Sequence, residues 1–370
     1  MTTSATSAAS WIEINKCLRL KRPIHARDLS ALDLRTSMLG EAVFHRCRLA
    51  GARFDGSDLR RAKFIECDLE GADFGQAMLD KNMFVKCAMR RARFPASVDG
   101  AALDGVHCVE SDLAGSSWAA GFLRLCTFTR CDLSGAAFAL ARFERVALTE
   151  CGLEAADLSH CTLDQSVMYT VDLRTVRMDG LNADSTVLIG ADMRGKALAG
   201  VRMVRCLLQD ADFSGADLSG ADLTESNCHR ARFAATRMAG LRAPRGLFLE
   251  ASFEHADLTG AVLEGAVFQQ AAAAHTRFDR ADLRKSVWDA SRLAGVSFAG
   301  ADMRHSRFDH ARGDGIDFDH ARLDGARFHD ARLHHTSYRG ASRRYLVATD
   351  GALLAAQART LSATAFPGEN

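Results

Sequence analysis

Residues 211–223 read ADFSGADLSGADL, and the phrase they repeat is five residues long. That period constrains the fold more than any other feature of the chain, and repeats are read before anything else. Each unit carries a large apolar residue, here Phe213, Leu218 and Leu223, with a small residue two positions earlier, here Ala211, Ala216 and Ala221. Stepping by five, the large slot holds Leu188, Met193, Leu198, Met203 and Leu208 on one side. On the other it holds Phe233, Met238 and Phe248 and runs on through Phe278, Trp288, Phe298, Phe308, Phe318 and Phe328 to Tyr338. Ala183, Ala243, Ala273 and Gly313 are small where a large residue is expected, which predicts thinner core layers, and Pro244 beside Ala243 suggests a local distortion of the wall.

The early chain keeps the same period in another register, from Leu29, Leu34, Leu39 and Phe44 to Phe94. The next secure members are Leu103, Cys108, Leu113 and Trp118, so one residue is missing between Phe94 and Leu103. This phase slip at 95–102 predicts a tightened corner, with a recognition bend as the alternative.

A period of five fits neither a strand, which alternates every two residues, nor a helix, which repeats near 3.6. The chain must turn so that one large and one small side chain in every five point inward, which describes a coil with short flat sides. Cys47, Cys67 and Cys87 occupy the small slot at steps of 20, and Cys131 and Cys151 repeat that step. Rings alternate with aliphatic residues at steps of 10 from Phe44 to Phe94. A 20-residue turn with four sides accounts for both, with like residues stacked on like at the interstrand spacing of about 4.8 Å. Removing one central ring, as in Phe278→Ala, is expected to cost about 3–5 kcal/mol.

The phrases Ala72-Asp73-Phe74, Ala156-Asp157-Leu158, Ala191-Asp192-Met193, Ala216-Asp217-Leu218, Ala256-Asp257-Leu258 and Ala301-Asp302-Met303 carry a resemblance. The chain resembles the pentapeptide-repeat family over more than four-fifths of its length. The resemblance implies an all-β fold, a right-handed quadrilateral parallel β-helix of about 16 coils. Three segments follow: a disordered tail and N-terminal cap at 1–25, the β-helix at 26–345, and a C-terminal capping helix and tail at 346–370. Within the first, residues 1–10 are read as disordered and Trp11-Ile12-Glu13-Ile14 as a strand over the first turn. In the last, Leu353, Leu354, Gln357 and Leu361 fall at helical spacings, with Thr349 or Asp350 placed to start the helix. Aspartate before the large residue is placed to accept backbone hydrogen bonds at the corners, as Asx turns do.

Composition narrows the function. Net charge is +1, unevenly spread: 17 Lys/Arg against 12 Asp/Glu in residues 1–100, 8 against 13 in 101–200, and 22 against 21 beyond. That balance argues against direct nucleic-acid binding. No apolar run is long enough to span a membrane, and the start lacks the pattern of a secretory signal. Eleven cysteines, an odd number without a Cys-x-x-Cys pair, read as free thiols in a reducing compartment and place the chain in the cytoplasm. In the small slot a cysteine is a small buried hydrophobe, so no metal site and no cofactor is assigned. Histidines crowd the last third: His305, His310, His320, His329, His334 and His335, after His255 and His275. They read as an exposed interaction surface, with a pH-sensitive or adventitious metal patch across neighbouring turns as the alternative.

A filled coil offers walls and not pockets, so no catalytic residue is assigned and the chain is read as a non-enzymatic, bacterial interaction or scaffold protein. The candidate interaction residues are Arg60, Arg61, Arg90, Arg91 and Arg93 near the basic start, and His310, His320 and Arg322 towards the end. The resemblance adds alternatives. Some members mimic duplex DNA and bind type II topoisomerases such as gyrase, a role that asks for an acidic surface this chain lacks. Others accompany bacterial secretion systems, and some form homodimers through their C-terminal ends.

Overall fold

The structure, a computed structural model, describes residues 2–349. The chain is a parallel β-solenoid of about 16 turns. It divides into two units, residues 1–192 and 193–370.

In the first unit, two ladders of three-residue strands run through successive turns. One holds Val43–His45, Lys63–Ile65, Met83–Val85 and Ala102–Asp104, and the other Ala88–Arg90, His107–Val109 and Thr127–Thr129. All pairs are parallel, and the register is the predicted step of 20: Phe44 lies against Phe64 and Phe64 against Phe84. Across the slip the step becomes 19, with Met83 against Ala102 and Arg93 against Asp112, and it returns to 20 at Ser97 against Ser117. Phe94 and Val98 are both buried, so one side of one turn has four residues where every neighbour has five. The slip is thus a single shortened side.

In the second unit the same geometry is carried mostly by single bridges, such as Asp217 to Arg237 and Arg237 to Asp257. Regular strands gather at Ala272–Ala274, Arg292–Ala294, Arg312–Asp314 and Arg332–His334. The repeat continues to Val347, which pairs with Arg327.

Each side works in the same way. The large residue and the small one two before it are buried, and the residues flanking the large one face outward. Two positions after the large residue the backbone is left-handed. At the first corner the Leu29 carbonyl accepts from the Leu32 amide at 3.2 Å while Ala31 has φ 54°, the shape of a type II turn. Residues other than glycine pay a conformational strain there of about 1–2 kcal/mol. Aspartate before the large residue offsets part of it: Asp157, Asp212, Asp217 and Asp257 accept from the amides of Ser159, Ser214, Ser219 and Thr259 at 2.9–3.0 Å. That amide takes no part in the ladder, so Pro95 and Pro244 fit the same position without cost. The wall at Pro244 is accordingly undistorted: Arg242 pairs with Val262, and the Pro244 carbonyl accepts from Glu225 at 3.1 Å.

The interior is close-packed. Phe44, Phe64 and Phe84 stack at 5.0 Å per step, and Phe54 and Phe74 at 4.9 Å, with edge-on contacts of about 6 Å between the two columns. The thin layers expected at Ala183 and Ala243 are filled, because Leu181 and Leu241 occupy the small slot beside them and are buried. At Gly313 the backbone sits so close to the previous turn that a Cβ would collide with the Leu293 carbonyl oxygen. Small-slot hydroxyls and thiols bond inward: Ser226 and Thr276 donate to the carbonyls of Met203 and Phe253, and Cys47, Cys67 and Cys87 donate to those of Ile24, Phe44 and Phe64.

The N-terminus corrects the sequence reading. A helix runs Thr2–Arg19, in place of a disordered stretch at 1–10 and a strand at 11–14. Residues 10, 14 and 17 fall on one helical face, a spacing that the alternation of Trp11 with Ile12 and Ile14 obscures. Ile14 is buried, and Glu13 bonds Arg27 of the first turn at 2.9 Å. The C-terminal helix and a dimer contact through it fall beyond residue 349, outside the described residues. Among the described residues no helix is long and apolar enough to cross a membrane.

Removing one Asx bond tests this scheme. Asp217→Ala loses the Ser219 amide bond and the 3.0 Å bridge to Arg237, and the expected loss is about 1 kcal/mol at pH 7. Ser219 and Arg237 hold the Asp217 carboxyl at about 2, below the usual carboxylate range of about 3.9. The stabilisation is therefore complete above pH 4 and lost as pH falls through 2. Melting curves of the wild type and variant should converge over that window.

Candidate interaction surfaces

Outward side chains one turn apart lie side by side, so sign along a column decides what the wall can bind. In most columns the signs alternate. Asp212 faces Arg232 at 3.1 Å, Asp217 faces Arg237 at 3.0 Å, Asp210 faces Arg230 at 2.8 Å, and Asp157 faces Arg177 at 3.4 Å. The arginines are exposed while Asp157, Asp212 and Asp217 are half-buried; each pair contributes modestly to stability and cancels charge locally.

The residues selected from the sequence mostly belong to this paired set. Arg60 bonds Asp58 and Arg61 approaches Glu41 at 3.5 Å; Arg90 pairs with Glu110, Arg91 with Glu70, and Arg93 lies 4.0 Å from Asp73. Arg322 reaches Asp302 at 3.4 Å and His310 bonds Asp330 at 3.1 Å. His320 lies over Gly340 of the next turn, where a Cβ would meet its Nδ1 at 2.5 Å. His160, His275 and His305 cover Gly180, Gly295 and Gly325 in the same manner. These histidines pack against a glycine whose left-handed φ and missing side chain make room for the ring, so the crowding of histidines is in part a corner-packing device. His255 and His275 also stack on each other at 5.2 Å.

Of the selected residues, Arg60 and Arg61 line a concavity. A groove of about 940 Å3 opens in the first unit over the shortened side, lined by Gly40, Asp58, Asp80, Lys81, Asp99 and Gly100 with the two arginines. Ser97, Asp99 and Gly100, at and just after the shortened side, contribute to the lining, and the small Gly100, Ala119 and Ala120 form one edge. Its carboxylates are occupied. Asp80 accepts from Ser97 at 2.9 Å, and Asp99 accepts from Ser117 at 2.6 Å and the Ala119 amide at 2.8 Å. Asp58 is buried and held by the Arg60 guanidinium at 2.7 and 3.0 Å, which keeps its carboxyl below the usual range. Lys81 has no carboxylate within salt-bridge distance among the described residues. The groove can offer a cation and a row of polar edges to a ligand. Sequence reading marked the slip and, among the lining residues, Arg60 and Arg61; it missed Asp80, Asp99 and Ala119, to which steps of 20, 19 and 20 from Arg60 lead.

Profile comparison settles the family. Eight copies of the pentapeptide repeat match residues 28–94, 107–165, 202–240 and 248–312, more than half of the sequence. The chain belongs to the pentapeptide-repeat family. No curated protein sequence matches it significantly. Among solved structures it is similar to HetL of the cyanobacterium Nostoc, a pentapeptide repeat protein involved in heterocyst differentiation regulation. That likeness is 19% identity over 70% of this chain and 94% of HetL, with a TM-score of 0.18. Full-length QnrB1, a plasmid-mediated fluoroquinolone resistance protein, is 13% identical over 80% of this chain and 96% of its own, at a TM-score of 0.18. A pentapeptide repeat protein of the Arabidopsis thaliana thylakoid lumen is 19% identical over 40% of this chain and 62% of its own, at 0.12.

Within this pentapeptide-repeat protein all eleven cysteines are free, and ten are buried. Burial pushes the thiols of Cys126 and Cys161 up to about 11 and about 12, and that of Cys108 well above its ordinary value. Such thiols are poor nucleophiles. Among the described residues no three His, Cys, Asp or Glu side chains converge as metal ligands.

Arg60→Ala leaves Asp58 buried without its bidentate partner. The expected result is a melting temperature lower by about 2–4 °C at pH 7. Because the Asp58 carboxyl is depressed in the fold, that stabilisation is present above its ordinary value of about 3.9 and is lost on acidification below it, so the gap should narrow as pH falls.

Proposed function

We propose that this pentapeptide-repeat protein is a non-enzymatic interaction or scaffold protein that receives a protein partner in the groove over the shortened side at residues 94–98. The groove is the observation that carries the reading: a polar concavity of about 940 Å3 on walls where many charges are paired across turns. A partner gains specificity there from placed polar groups, while the flat sides beside it supply area without a cavity. The buried free thiols support a reducing compartment such as the bacterial cytoplasm.

Binding of a type II topoisomerase by duplex mimicry has less support. A phosphate-like surface needs a dense row of unneutralised anions. Here Asp157, Asp212, Asp217 and Asp257 each face an arginine of the neighbouring turn. A role beside a secretion system has no observation in its favour.

The test is affinity capture from the native cell with three proteins. Ala120→Arg places a long side chain in the groove at a left-handed corner, φ 53°, of the kind that Arg61 already occupies at 59°. Arg90→Glu/Arg91→Glu alters charge outside the groove lining. A partner held by the wild type and the Arg90/Arg91 variant but lost with Ala120→Arg supports the reading. Retention by Ala120→Arg contradicts it, and a retained partner that proves to be a type II topoisomerase favours mimicry.

A further inference from the structure

In the second unit the strands Ala272–Ala274, Arg292–Ala294, Arg312–Asp314 and Arg332–His334 pair in parallel, residue on residue. The register sets Arg292 against Arg312 and Arg312 against Arg332. Three arginines therefore stand in one column, about 4.8 Å apart at the backbone. Many columns of the same unit alternate aspartate and arginine, as at Asp212 and Arg232 or Asp257 and Arg277, and where Arg307 stands in register with Arg327 each has a carboxylate of its own, Asp289 and Asp309. Like charges stacked in register repel.

Among the described residues neither Arg292 nor Arg312 has a carboxylate within salt-bridge distance, and Arg332 lies 3.8 Å from Asp330. The carboxylates beside the column are engaged elsewhere: Asp314 bonds His335 at 2.5 Å, and Asp330 bonds His310 at 3.1 Å. The outward neighbours at Ala272, Ala274 and Ala294 are short, and Gly313 has no side chain. Three exposed guanidiniums thus rise from a low bed with no wall between them.

We propose that this face docks an acidic peptide segment in extended conformation, lying along the arginine column. An extended chain advances about 3.4 Å per residue, so side chains of one face repeat at about 6.8 Å. Two carboxylates spaced two residues apart, about 6.8 Å, fall within the column's span of about 10 Å and so within reach of its three long side chains. Each guanidinium carries five donors and pairs with carboxylates in a fork. Nucleic acid suits the face less well, because Asp314 and Asp330 flank the row and none of the strands' outward residues is Phe, Tyr or Trp. The inference is independent of the groove in the first unit.

The probe is a fluorescein-labelled octapeptide of alternating glutamate and alanine, titrated with the full-length protein and followed by anisotropy. A lysine–alanine octapeptide and a short thymidine oligonucleotide serve as comparators. Arg292→Glu/Arg312→Glu removes the column, while Arg242→Glu/Arg280→Glu makes the same charge change on other sides of the turn. The expected result is binding of the glutamate peptide that weakens at least about tenfold in Arg292→Glu/Arg312→Glu and by less than about twofold in the control, with both variants melting as the wild type does. Absence of peptide binding, equal losses in the two variants, or tighter binding of the oligonucleotide overturns the proposal. Should Arg292→Glu/Arg312→Glu unfold, the neutral Arg292→Gln/Arg312→Gln variant carries the same comparison.

Discussion

Every turn of this protein must place its inward side chains directly on those of the turn before, at the spacing of a parallel β ladder. That requirement allows one large and one small residue per side, and it explains most of what the sequence repeats. Rings stack on rings at about 5 Å, as in Phe44, Phe64 and Phe84. Trp118 and Trp288 fit the large slot because Ser116 and Ser286, in the small slot before each, accept their indole N–H groups. Where the large slot is empty at Ala243, Leu241 moves the bulk to the small one.

The same stacking governs the surface. Placing like positions side by side would build rows of like charge, and the chain mostly avoids this by alternating sign every 20 residues, from Asp210 and Arg230 to Asp302 and Arg322. A wall neutralised in this way resists unspecific attraction and leaves function to the departures. Two departures stand out: the shortened side that opens the groove near Asp80 and Asp99, and the arginine column at 292, 312 and 332.

The core was legible in the sequence because burial enforces it. Five-residue steps located the large slot, cysteines at steps of 20 gave the turn, and the register error after Phe94 marked the shortened side. The Asx role of aspartate followed from its position beside each corner. Exposed features were less legible, since no packing rule fixes an outward residue. Arg90, Arg91 and Arg93 stood out as a basic cluster, yet their carboxylate partners Glu110, Glu70 and Asp73 lie about 20 residues away and become neighbours only in the coil. The N-terminal helix was misread because Trp11, Ile12 and Ile14 satisfy a short alternating pattern as well as a helical one, and only the burial of Ile14 beside exposed Ile12 separates the two.

Residue-resolved amide hydrogen exchange tests the coil most directly, since each position in the five-residue unit has its own backbone partner. Amides of the large residues, such as Leu218, Leu258 and Phe298, donate across turns to the carbonyls of Arg237, Arg277 and Asp317 and should exchange slowly. The amide after each large residue lies outside the ladder, and where no carboxylate stands before the large residue to take it, as at Ala234, Ala239 and Leu249, it should exchange faster, giving protection that repeats every five residues. Protection that is uniform along the chain, or that repeats near 3.6 residues, would contradict a structure built from stacked four-sided turns.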